Sequence, residues 1–574
     1  MTRPARGGDP ALGRLADAIL IPPFAGRAAP GWVLAALGEG LAGVTVFGPN
    51  IGGPGQLAGL TGRLRSAAAE PLIAIDEEGG DVTRIGHLDG SRYPGNAALG
   101  AVDDTGLTQS VYHALGTDLA ALGINVDLAP SADVNTAADN PVIGTRSFGS
   151  DPELVARHAA AAVTGLQSAG VAACAKHFPG HGSTRTDTHD TVALVDVDLA
   201  VLERRDLPPF AAAIAAGARA VMPGHLRVPG LTGDLPASLS AAAQTGLLRG
   251  DLGFTGVIIS DALEMRAVSE PFGLPEAAVR AVAAGTDLLC LGRDQDQPSY
   301  LAVRDALVAA VASGRLPGGR LEEAAARVAN LRTWISAARP AVDGRDGRLA
   351  GPSGQHTGGS GGVAPQGPAA TAGLPARADG TRGGPGGSSP PGNTDLGLAA
   401  ARRAVRVSGG PALPLRRPML LEIVPPANIA VGPVPWGLAP WVPGDSLVQV
   451  GTGAPDSELA AAAERALAAA AGRSLVVVVR DAHRHPAAQA LVTRLLAARP
   501  DTVVVEMGLP VWRPPGGYLA TYGAGRSSGQ AAAEALGLTG GGVTALPGPG
   551  TGPATSPQAA PHMTTGPAAQ ADPV

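Results

Sequence analysis

Lysine is almost missing from this chain of 574 residues, because Lys176 is the only lysine among 43 lysine and arginine residues. Cysteine is scarce as well, since Cys174 and Cys290 are the only two and both lie inside apolar runs. Two thiols in so long a chain argue against a disulfide framework and fit a reducing compartment. Arginine supplies every other long cation, so the position of the one lysine needs a chemical reason.

The chain also has few charges and no long apolar run. Charged residues make up 16% of it and the net charge is −6 with no basic block, which does not indicate a nucleic-acid partner or an anionic membrane surface. No apolar run reaches the roughly 20 residues that a membrane-spanning helix needs. The apolar stretch near the N-terminus is interrupted by Asp17, Pro22 and Pro23, which makes it a poor signal peptide. We expect a soluble cytoplasmic protein.

Short β-branched apolar runs alternate with Ala/Leu-rich helical stretches over the first part of the chain. The chain is too long for a single hydrophobic core. Eight such β/α units in this length fit a parallel (β/α)8 barrel of the TIM type, although a doubly wound open sheet gives a similar pattern. The predicted strands are AILIPPF, VTVFG, LIAID, INVDLAP, VAACA, RAVMP, VIISD and DLLCLG.

Three further segments follow the predicted barrel domain of residues 1–335. Residues 336–395 are rich in Gly, Pro and Ser and have almost no large apolar residues, which predicts a flexible, disordered linker. Residues 396–537 regain strand patterns in MLLEIV, SLVVVVR and TVVVEMG, and they predict a second, smaller α/β domain of unknown role. Residues 538–574 return to Gly, Pro, Thr and Ala and predict a disordered tail.

Polar side chains follow four of the predicted barrel strands, at the point where each strand ends. Asp76 closes LIAID, Lys176 and His177 follow VAACA, His225 follows RAVMPG, and Asp261 closes VIIS. Because the parallel strands of a barrel all end on one face, we expect these groups on the same rim. Each residue alone is more often a helix cap or a solvated loop residue. Their shared position favours an active site.

A long loop rich in Gly, Ser and Thr follows Lys176 and carries Asp187 and His189 two positions apart. In an extended loop the two side chains point the same way, so the carboxylate can fix the tautomer of the imidazole and raise its basicity. Such a pair suits proton transfer, and Asp261 across the rim suits a nucleophilic or stabilising carboxylate. Together these groups fit a two-step displacement at an acetal carbon.

The same loop permits a metal site as a second interpretation. The His-x-x-x-His spacing in HFPGH places both imidazoles on one face only in a helix, and the Pro and Gly between them disfavour a helix. A metal also leaves Lys176 unexplained, because a cation close to a metal ion is unfavourable. The four candidate ligands are His177, His181, Asp187 and His189.

Four longer motifs occur in order along the first domain: IDEEGGDVTR, VIGTRSFGSDP, KHFPGHGSTRTDTHDT and FTGVIISDALEM. They resemble the Asp-x-Glu-Gly-Gly-x-Val-x-Arg element, the Arg-Ser-Phe-Gly segment, the Lys-His-Phe-Pro-Gly-His-Gly element with its following Asp-x-His, and the nucleophile strand of glycoside hydrolase family 3. The resemblance is to the bacterial β-N-acetylglucosaminidase branch of that family. It covers about residues 15–335 and favours the barrel over the open sheet.

This resemblance implies a role for each matched residue. Asp261 is implied to be the nucleophile that forms a covalent glycosyl-enzyme, and His189, paired with Asp187, the general acid/base. The compact ammonium of Lys176 can reach sugar oxygens where a planar guanidinium does not fit, which is a reason for the single lysine. No cofactor and no metal are implied. The implied ligands of the N-acetylglucosamine hydroxyls are Asp76, Arg84, Arg146, Lys176 and His177.

Two positions depart from the pattern of the family. Asp81 stands where the family usually has a basic residue, and Ala262 follows the nucleophile where a second aspartate is common. We expect Asp81 to add negative charge near Asp76 and to alter substrate preference. A second domain contributes the acid/base in many β-glucosidase-type relatives, but the Asp-x-His of the barrel indicates that the barrel does all the chemistry here. His483 and His485 are interpreted as a solvated helix entry.

The function implied by the resemblance is that of a retaining exo-β-N-acetylglucosaminidase acting on cell-wall muropeptides or chitin-derived fragments. A neutral histidine as acid/base repels phosphate less than a carboxylate does, so a phosphorylase or a β-glucosidase of the same family stays open. A metal-dependent hydrolase and an inactive sugar-binding protein are also compatible with these residues. The implied partner is a GlcNAc-containing oligosaccharide or muropeptide, and the oligomeric state is left open.

Overall fold

The computed structural model describes residues 9–185, 192–338, 393–411, 413–415, 417–427 and 430–538. Two large sheets organise these residues, one before and one after the segment 339–392. Within the described ranges, no helix combines the length and the apolar character needed to cross a bilayer.

Ten short strands occur in the first part of the chain, and eight of them form a barrel. They are β1 (Leu20–Ile21), β2 (Gly43–Val46), β3 (Leu72–Ile75), β4 (Val126–Asp127), β5 (Ala172–Phe178), β6 (Ala193–Leu194), β7 (Ala220–Pro223), β8 (Leu226–Arg227), β9 (Val257–Ile258) and β10 (Leu289–Cys290). Strands β6 and β8 form a separate two-stranded sheet, and the main sheet has the parallel order β2-β3-β4-β5-β7-β9.

Further backbone contacts continue this sheet into a ring. Ile259 bridges Leu288 in parallel, which joins β9 to β10, and β10 pairs in parallel with β1. The amide of Thr45 in β2 donates to the carbonyl of Pro22, just after β1, at 3.3 Å. Eight parallel strands at the eight expected positions confirm the predicted (β/α)8 barrel.

Helices connect the barrel strands and cover them on the outside. The predicted helix after SFGSDP runs from Pro152 to Ser168, and the Asp151 side chain caps it by accepting from the amide of Glu153 at 3.1 Å. A single hydrophobic cluster fills the space between strands and helices. The helices are α1 (Pro10–Asp17), α2 (Gly31–Glu39), α3 (Pro54–Ala67), α4 (Asn96–Val102), α5 (Thr105–Ala121), α6 (Pro152–Ser168), α7 (Leu199–Arg205), α8 (Leu207–Ala215), α9 (Pro229–Thr232), α10 (Arg266–Phe272), α11 (Leu274–Ala284), α12 (Gln297–Ala312) and α13 (Gly318–Ala338), with a π-helix over Ala242–Asp251.

Strand β5 is longer than the sequence predicts. We expected it to end at Ala175, with Lys176 and His177 following it, but it continues to Phe178 because its pairing with β7 extends to Pro223. The expectation that both residues lie beyond the strand is therefore wrong. They belong to the end of the strand itself, and every residue of this strand is buried.

The second sheet has the order β11-β16-β15-β14-β12-β13 and is parallel except for β11. The strands in MLLEIV, SLVVVVR and TVVVEMG occur as expected, whereas β11, β13 and β16 were not predicted. Its elements are β11 (Arg406–Ser408), β12 (Met419–Val424), β13 (Leu447–Gly451), β14 (Leu475–Val479), β15 (Val503–Glu506), β16 (Gly517–Ala520), α14 (Asn393–Ala404), α15 (Asp456–Ala469), α16 (Pro486–Ala498) and α17 (Arg526–Leu536).

Helix α14 joins the two parts of the structure. It begins at Asn393, inside the segment predicted as linker, and its Ala400 belongs to the hydrophobic cluster of the barrel. Arg403 at its other end pairs with Asp104 of the barrel at 2.9 Å. The rest of the predicted linker, residues 339–392, and the predicted tail from residue 539 lie outside the described residues.

Candidate active site

A cavity of about 500 Å³ opens at the carboxyl ends of the barrel strands. Asp76 reaches it from the end of β3, Lys176 from β5 and Asp261 from just beyond β9. In the ring of eight strands β3 and β9 are four strands apart, so Asp76 and Asp261 lie on opposite walls. The structure thus brings into one cavity the candidate residues Asp76, Arg84, Arg146, Lys176, His177 and Asp261.

The ammonium group of Lys176 lies between two carboxylates. It donates to Oδ1 of Asp76 and forms an ion pair with Oε1 of Glu78 at 2.7 Å. Nη2 of Arg84 donates to the other carboxylate oxygen of Asp76 at 2.7 Å. The Lys176 side chain is 3% exposed, so both contacts are largely shielded from water.

The mutual charges of this cluster set its protonation. Burial alone would lower the pKa of Lys176, but the carboxylates of Asp76 and Glu78 raise it above its ordinary value. Burial alone would raise the pKa of Asp76, but the charges of Lys176 and Arg84 lower it. Arg146 and Lys176 likewise hold the pKa of Glu78 below its usual range, against the effect of burial. The lysine and both carboxyl groups are therefore charged at neutral pH.

A second set of contacts orients His177. Arg146 binds both oxygens of Glu78, at 3.0 Å through Nε and 2.7 Å through Nη2, and Nη2 also lies 3.2 Å from Nε2 of His177. Because a guanidinium only donates, this ring nitrogen accepts, and Nδ1 of His177 carries the proton that reaches Oδ2 of Asp133 at 2.8 Å. The other oxygen of Asp133 accepts from the amide of His181 at 2.7 Å.

Asp261 lies half-buried on the opposite wall of the cavity, where its Oδ1 accepts from the amide of Ala262 at 2.8 Å. His225 was expected on the same rim, but it is buried and is not among the described residues that line the cavity. Its Nδ1 lies 2.7 Å from Oγ of Ser238 and its Nε2 lies 3.0 Å from the carbonyl of Ala262. It supports the backbone that follows Asp261.

Glu264 also lines the cavity, three residues after Asp261. Its Oε1 accepts from the amide of Arg293 at 2.7 Å, and its Oε2 packs against Gly292, where a side chain would overlap it. Burial, together with the nearby charge of Asp261, raises the pKa of Glu264 to about 7. This site therefore holds a carboxyl group that is partly protonated at neutral pH.

The predicted acid/base pair, Asp187 and His189, lies outside the described residues, as does the whole segment 186–191. The metal interpretation also needs both of them. Among the residues that the structure does describe, no cluster of three or more His, Cys, Asp or Glu side chains has the arrangement of a metal site. His177 and His181 lie edge to face with ring centroids 5.9 Å apart, and Nδ1 of His181 lies 2.6 Å from Oγ1 of Thr184.

Three residues of this site were not singled out from the sequence: Glu78, Asp133 and Glu264. For Asp133 a signal existed, because it lies three residues beyond the predicted strand INVDLAP, at the same end as Asp76 in LIAID. Glu78 lies in the same motif as Asp76, but its pairing with Arg146 joins residues 68 positions apart. Nothing in the spacing of the sequence indicates that contact.

The second domain also reaches the cavity, which the sequence did not predict. Residues 430–434 line it, and Arg84 donates to the carbonyl of Ala430 at 3.0 Å. Asp81, expected to act beside Asp76, is not among the described lining residues and contacts the second domain. His483 is not simply solvated, because its Nε2 lies 2.7 Å from the carbonyl of Ala138 in the barrel.

The sequence of the barrel matches a known family. The family model described as "Glycosyl hydrolase family 3 N terminal domain" matches residues 35–331, a range that spans the barrel strands β2 to β10 and every residue of the cavity that the barrel contributes. The chain belongs to glycosyl hydrolase family 3. Among the residues that the structure describes, those that line the cavity of this family 3 protein outside that range belong to the segment 430–434.

Curated relatives match the same part of the chain. "Beta-hexosaminidase A" of Pseudoalteromonas piscicida is 34% identical over 339 residues, which cover 54% of this chain and 56% of that protein. "Beta-hexosaminidase LpqI" of Mycobacterium tuberculosis is 38% identical over 265 residues, which cover 45% of this chain and 67% of that protein. The chain thus spans just over half of the first relative and two thirds of the second.

A solved structure matches both domains of this family 3 protein. The structure of a glycoside hydrolase family 3 β-N-acetylglucosaminidase from Paenibacillus sp. str. FPU-7 has a TM-score of 0.74 and 32% identity, and the match covers 92% of this chain and 96% of that one. The solved M. tuberculosis LpqI, with a TM-score of 0.50 and 33% identity, matches 56% of this chain and 93% of its own. The second domain therefore has a structural counterpart within the family.

Proposed function

We propose that this protein is a retaining, exo-acting β-N-acetylglucosaminidase that hydrolyses terminal β-linked GlcNAc. Relatives named β-hexosaminidase and the similarity to a β-N-acetylglucosaminidase of family 3 support this assignment. The observation that carries it is the cavity itself. A carboxylate, Asp261, faces a buried and charge-balanced cluster of hydrogen-bonding groups across a space of about 500 Å³, which is the size of a small-ligand site.

The cluster around Lys176 is suited to hold the terminal sugar. Asp76 accepts hydrogen bonds, while Lys176, Arg84 and Arg146 donate them, so vicinal hydroxyls find both kinds of partner. The cluster is fixed by its own ion pairs before a sugar arrives, so little further ordering is needed on binding. A sugar held against this wall presents its anomeric carbon to Asp261 on the other.

In the proposed first step the carboxylate of Asp261 attacks the anomeric carbon and the bond to the leaving oxygen breaks. His189 donates its proton to that oxygen, while Asp187 keeps the imidazole in the required tautomer. The product of this step is a covalent glycosyl-enzyme. The roles of His189 and Asp187 rest on the sequence motif.

In the proposed second step His189 removes a proton from water, and the hydroxide oxygen attacks the same carbon from the side that the leaving group vacated. The bond to Asp261 breaks, and GlcNAc leaves with its β configuration retained. Two inversions give this outcome. The amide of Ala262, which donates to Oδ1 of Asp261, stabilises the carboxylate as the leaving group of this step.

Release of phenol from an aryl β-N-acetylglucosaminide tests the proposal, with the aryl β-glucoside for comparison and EDTA present throughout. We expect turnover of the GlcNAc substrate only, and a loss of at least about a thousandfold in Asp261→Asn. The matched control is Asp294→Asn, a carboxylate at the same cavity whose side chain is 76% exposed. It should keep the activity of the wild type.

The outcomes distinguish the candidate functions. His189→Ala should still release one equivalent of phenol per site, because a good leaving group needs no acid, and should then stall at the glycosyl-enzyme. Activity that appears only when zinc is added would favour the interpretation as a metal-dependent hydrolase. Preference for the glucoside would overturn the sugar assignment, and complete silence of the wild type would favour a sugar-binding protein.

We further propose that the substrates are cell-wall muropeptides or chitin-derived fragments. The two sources differ in the sugar that the GlcNAc is linked to. In cell-wall fragments it is N-acetylmuramic acid, whose lactyl group ends in a carboxylate when no peptide is attached, and in chitin it is a second GlcNAc. Arg266 and Arg293 line the cavity together with Asp294, so both charge signs occur there. Competition between GlcNAc-N-acetylmuramic acid and chitobiose against the aryl substrate measures the preference.

A further inference from the structure

The loop of residues 430–434 forms part of the cavity although it is about 350 positions from Asp76 in sequence. Nη2 of Arg84 donates to the carbonyl of Ala430 at 3.0 Å, and Nη1 lies 3.4 Å from the carbonyl of Val431. The same guanidinium pairs with Asp76. The loop therefore rests on a residue that we place in the sugar-binding cluster.

The topology of the second sheet explains why this loop faces the barrel. Strand β12 has β13 on one side and β14 on the other, so the chain reverses its direction of progress across the sheet at β12. In open parallel sheets a crevice forms at the carboxyl ends of the strands at this reversal. The loop 430–434 follows β12, and Arg480 follows β14, so both lie at the crevice.

Asp81 fastens this crevice to the barrel. Its Oδ1 accepts from the amide of Ala524 at 2.8 Å, and its Oδ2 accepts from Oγ1 of Thr145 at 2.6 Å and lies 3.2 Å from Nη2 of Arg480. The Asp81 side chain is 4% exposed, so this ion pair is little screened by water. Two of its three partners, Ala524 and Arg480, belong to the second domain.

Arg480 carries the contact on to the loop. Its guanidinium lies 5.9 Å from the ring centroid of Trp436, within the range of a cation–π contact. Trp436 is two residues beyond the end of the loop 430–434. A continuous path of contacts thus runs from Asp81 through Arg480 and Trp436 to the wall of the cavity.

We propose that Asp81 is a positioning residue that locks the loop 430–434 of the second domain onto the active-site cavity, where the loop forms a wall of the substrate site. The kinetic part of this proposal rests on the proposed function. The structural part does not, because the loop is either held in place by Asp81 or it is not. Asp81 touches no reacting atom and acts through Arg480 and Ala524.

Hydrogen exchange of the full-length protein, without substrate, tests the structural part. We expect the amides of Val431, Gly432, Val434 and Trp436 to exchange at least about tenfold faster in Asp81→Asn than in the wild type. The matched control is Asp104→Asn, which also weakens an ion pair between the domains, at 2.9 Å from Arg403, but on the exposed side. An asparagine at position 104 can still cap helix α5, because its side-chain oxygen can accept from the amide of Leu107 as Asp104 does. Equal exchange in Asp81→Asn and the control would overturn the proposal.

Steady-state kinetics with the aryl GlcNAc substrate test whether the loop 430–434 forms a wall of the substrate site. We expect Asp81→Asn to raise KM at least about fivefold with kcat within about twofold, because the loop binds and does not react. Arg480→Met should do the same, and the double variant should add little, since both act through one contact path. If Asp81→Asn fails to fold, Arg480→Met tests the same contact path between Asp81 and the loop.

The two proposals fail in different ways. Faster hydrogen exchange with an unchanged KM would show that Asp81 holds the loop but that the loop is no part of the substrate site. This result would overturn the kinetic part of the proposal. If neither the hydrogen exchange of the loop nor KM changes in Asp81→Asn, the whole inference is overturned. Absence of GlcNAc turnover in the wild type contradicts the proposed function alone, because the exchange measurement needs no substrate.

Discussion

Lys176 holds two carboxylates with one ammonium group, in a place where its side chain is almost completely buried. A guanidinium is larger and planar, and it cannot approach both Asp76 and Glu78 from the same point without moving one of them. An apolar residue would leave two buried carboxylates facing each other without a cation between them. The size and charge of the lysine are therefore both required.

We predict that Lys176→Arg lowers kcat/KM for the aryl GlcNAc substrate by about a hundredfold, because displacement of Asp76 by about 1 Å misplaces the sugar. Lys176→Met should lower the free energy of unfolding by about 3–5 kcal/mol, since it removes the cation that the two buried carboxylates share. Steady-state kinetics and urea unfolding measure the two effects.

The control for the Lys176 variants is the opposite substitution, arginine to lysine, in an exposed ion pair. Arg157 pairs with Asp103 at 2.8 Å, and both side chains are more than two fifths exposed. Arg157→Lys should change neither activity nor stability beyond about 0.5 kcal/mol. Full activity of Lys176→Arg would instead mean that the one lysine is an accident of composition.

Strands β2 and β3 leave no room for a side chain at the first residue of β2. Gly43 pairs with Leu72, and a side chain on Gly43 would overlap the backbone of Leu72. Three residues later β3 ends and Asp76 follows it. The spacing of these two strands therefore helps to place the carboxylate that binds Lys176.

We predict that Gly43→Ala lowers the free energy of unfolding by about 3 kcal/mol, because the strands must separate to admit the methyl group. It should also reduce activity through the shift of Asp76. The control is Gly59→Ala, on the exposed face of α3 with open space around it. That change should stabilise the protein by about 0.5–1 kcal/mol, because alanine favours the helix.

The strands that the sequence predicted differ physically from those it did not. The barrel strands and β12, β14 and β15 are buried on both faces and read as continuous apolar runs. Strand β11 is exposed and β13 is only partly buried, and neither shows such a run. Strand β16 is buried, but it is only four residues long and begins with a glycine. Lys176 and His177 lie inside β5 because of pairing with β7, which is a tertiary effect that no local pattern contains.

At the scale of the whole molecule, the site residues that could be predicted from the sequence are those at the ends of the barrel strands. Asp76, Lys176 and Asp261 were found because polar residues at the ends of apolar runs must meet on one rim. The contribution of residues 430–434 depends on how two separately patterned domains pack, and the contact of Asp81 with Arg480 spans almost 400 positions. Such contacts leave no periodic trace in the sequence.

Buried ionisable groups give the whole molecule a characteristic pH dependence. Burial raises the pKa of Glu77 and of Glu264 to about 7, so between about pH 4.5 and 7 these two carboxyl groups bind more protons in the folded chain than in the unfolded one. The free energy of unfolding therefore falls as pH rises through this window. His181 opposes this, because burial lowers its pKa to about 4, but its contribution is complete above about pH 6.5.

We predict that Glu264→Gln gains stability relative to the wild type as pH rises from 5 to 7, by about 1.4 kcal/mol at most for each pH unit. Above pH 7.5 the difference should become constant. Urea unfolding at half-unit intervals of pH measures it. Glu322→Gln, on the exposed face of α13, is the matched control for the loss of a carboxyl group. A flat difference at Glu264 would contradict the prediction.

The burial of the only lysine has a practical consequence for anyone who labels this protein. An amine-reactive ester added to the folded chain meets one amine that is enclosed by carboxylates and one other, the α-amino group. Attachment of a dye or biotin at Lys176 is therefore blocked while this cluster is intact. A second equivalent of label enters only when the core of the sugar site has come apart, so the stoichiometry of labelling reports the integrity of that site.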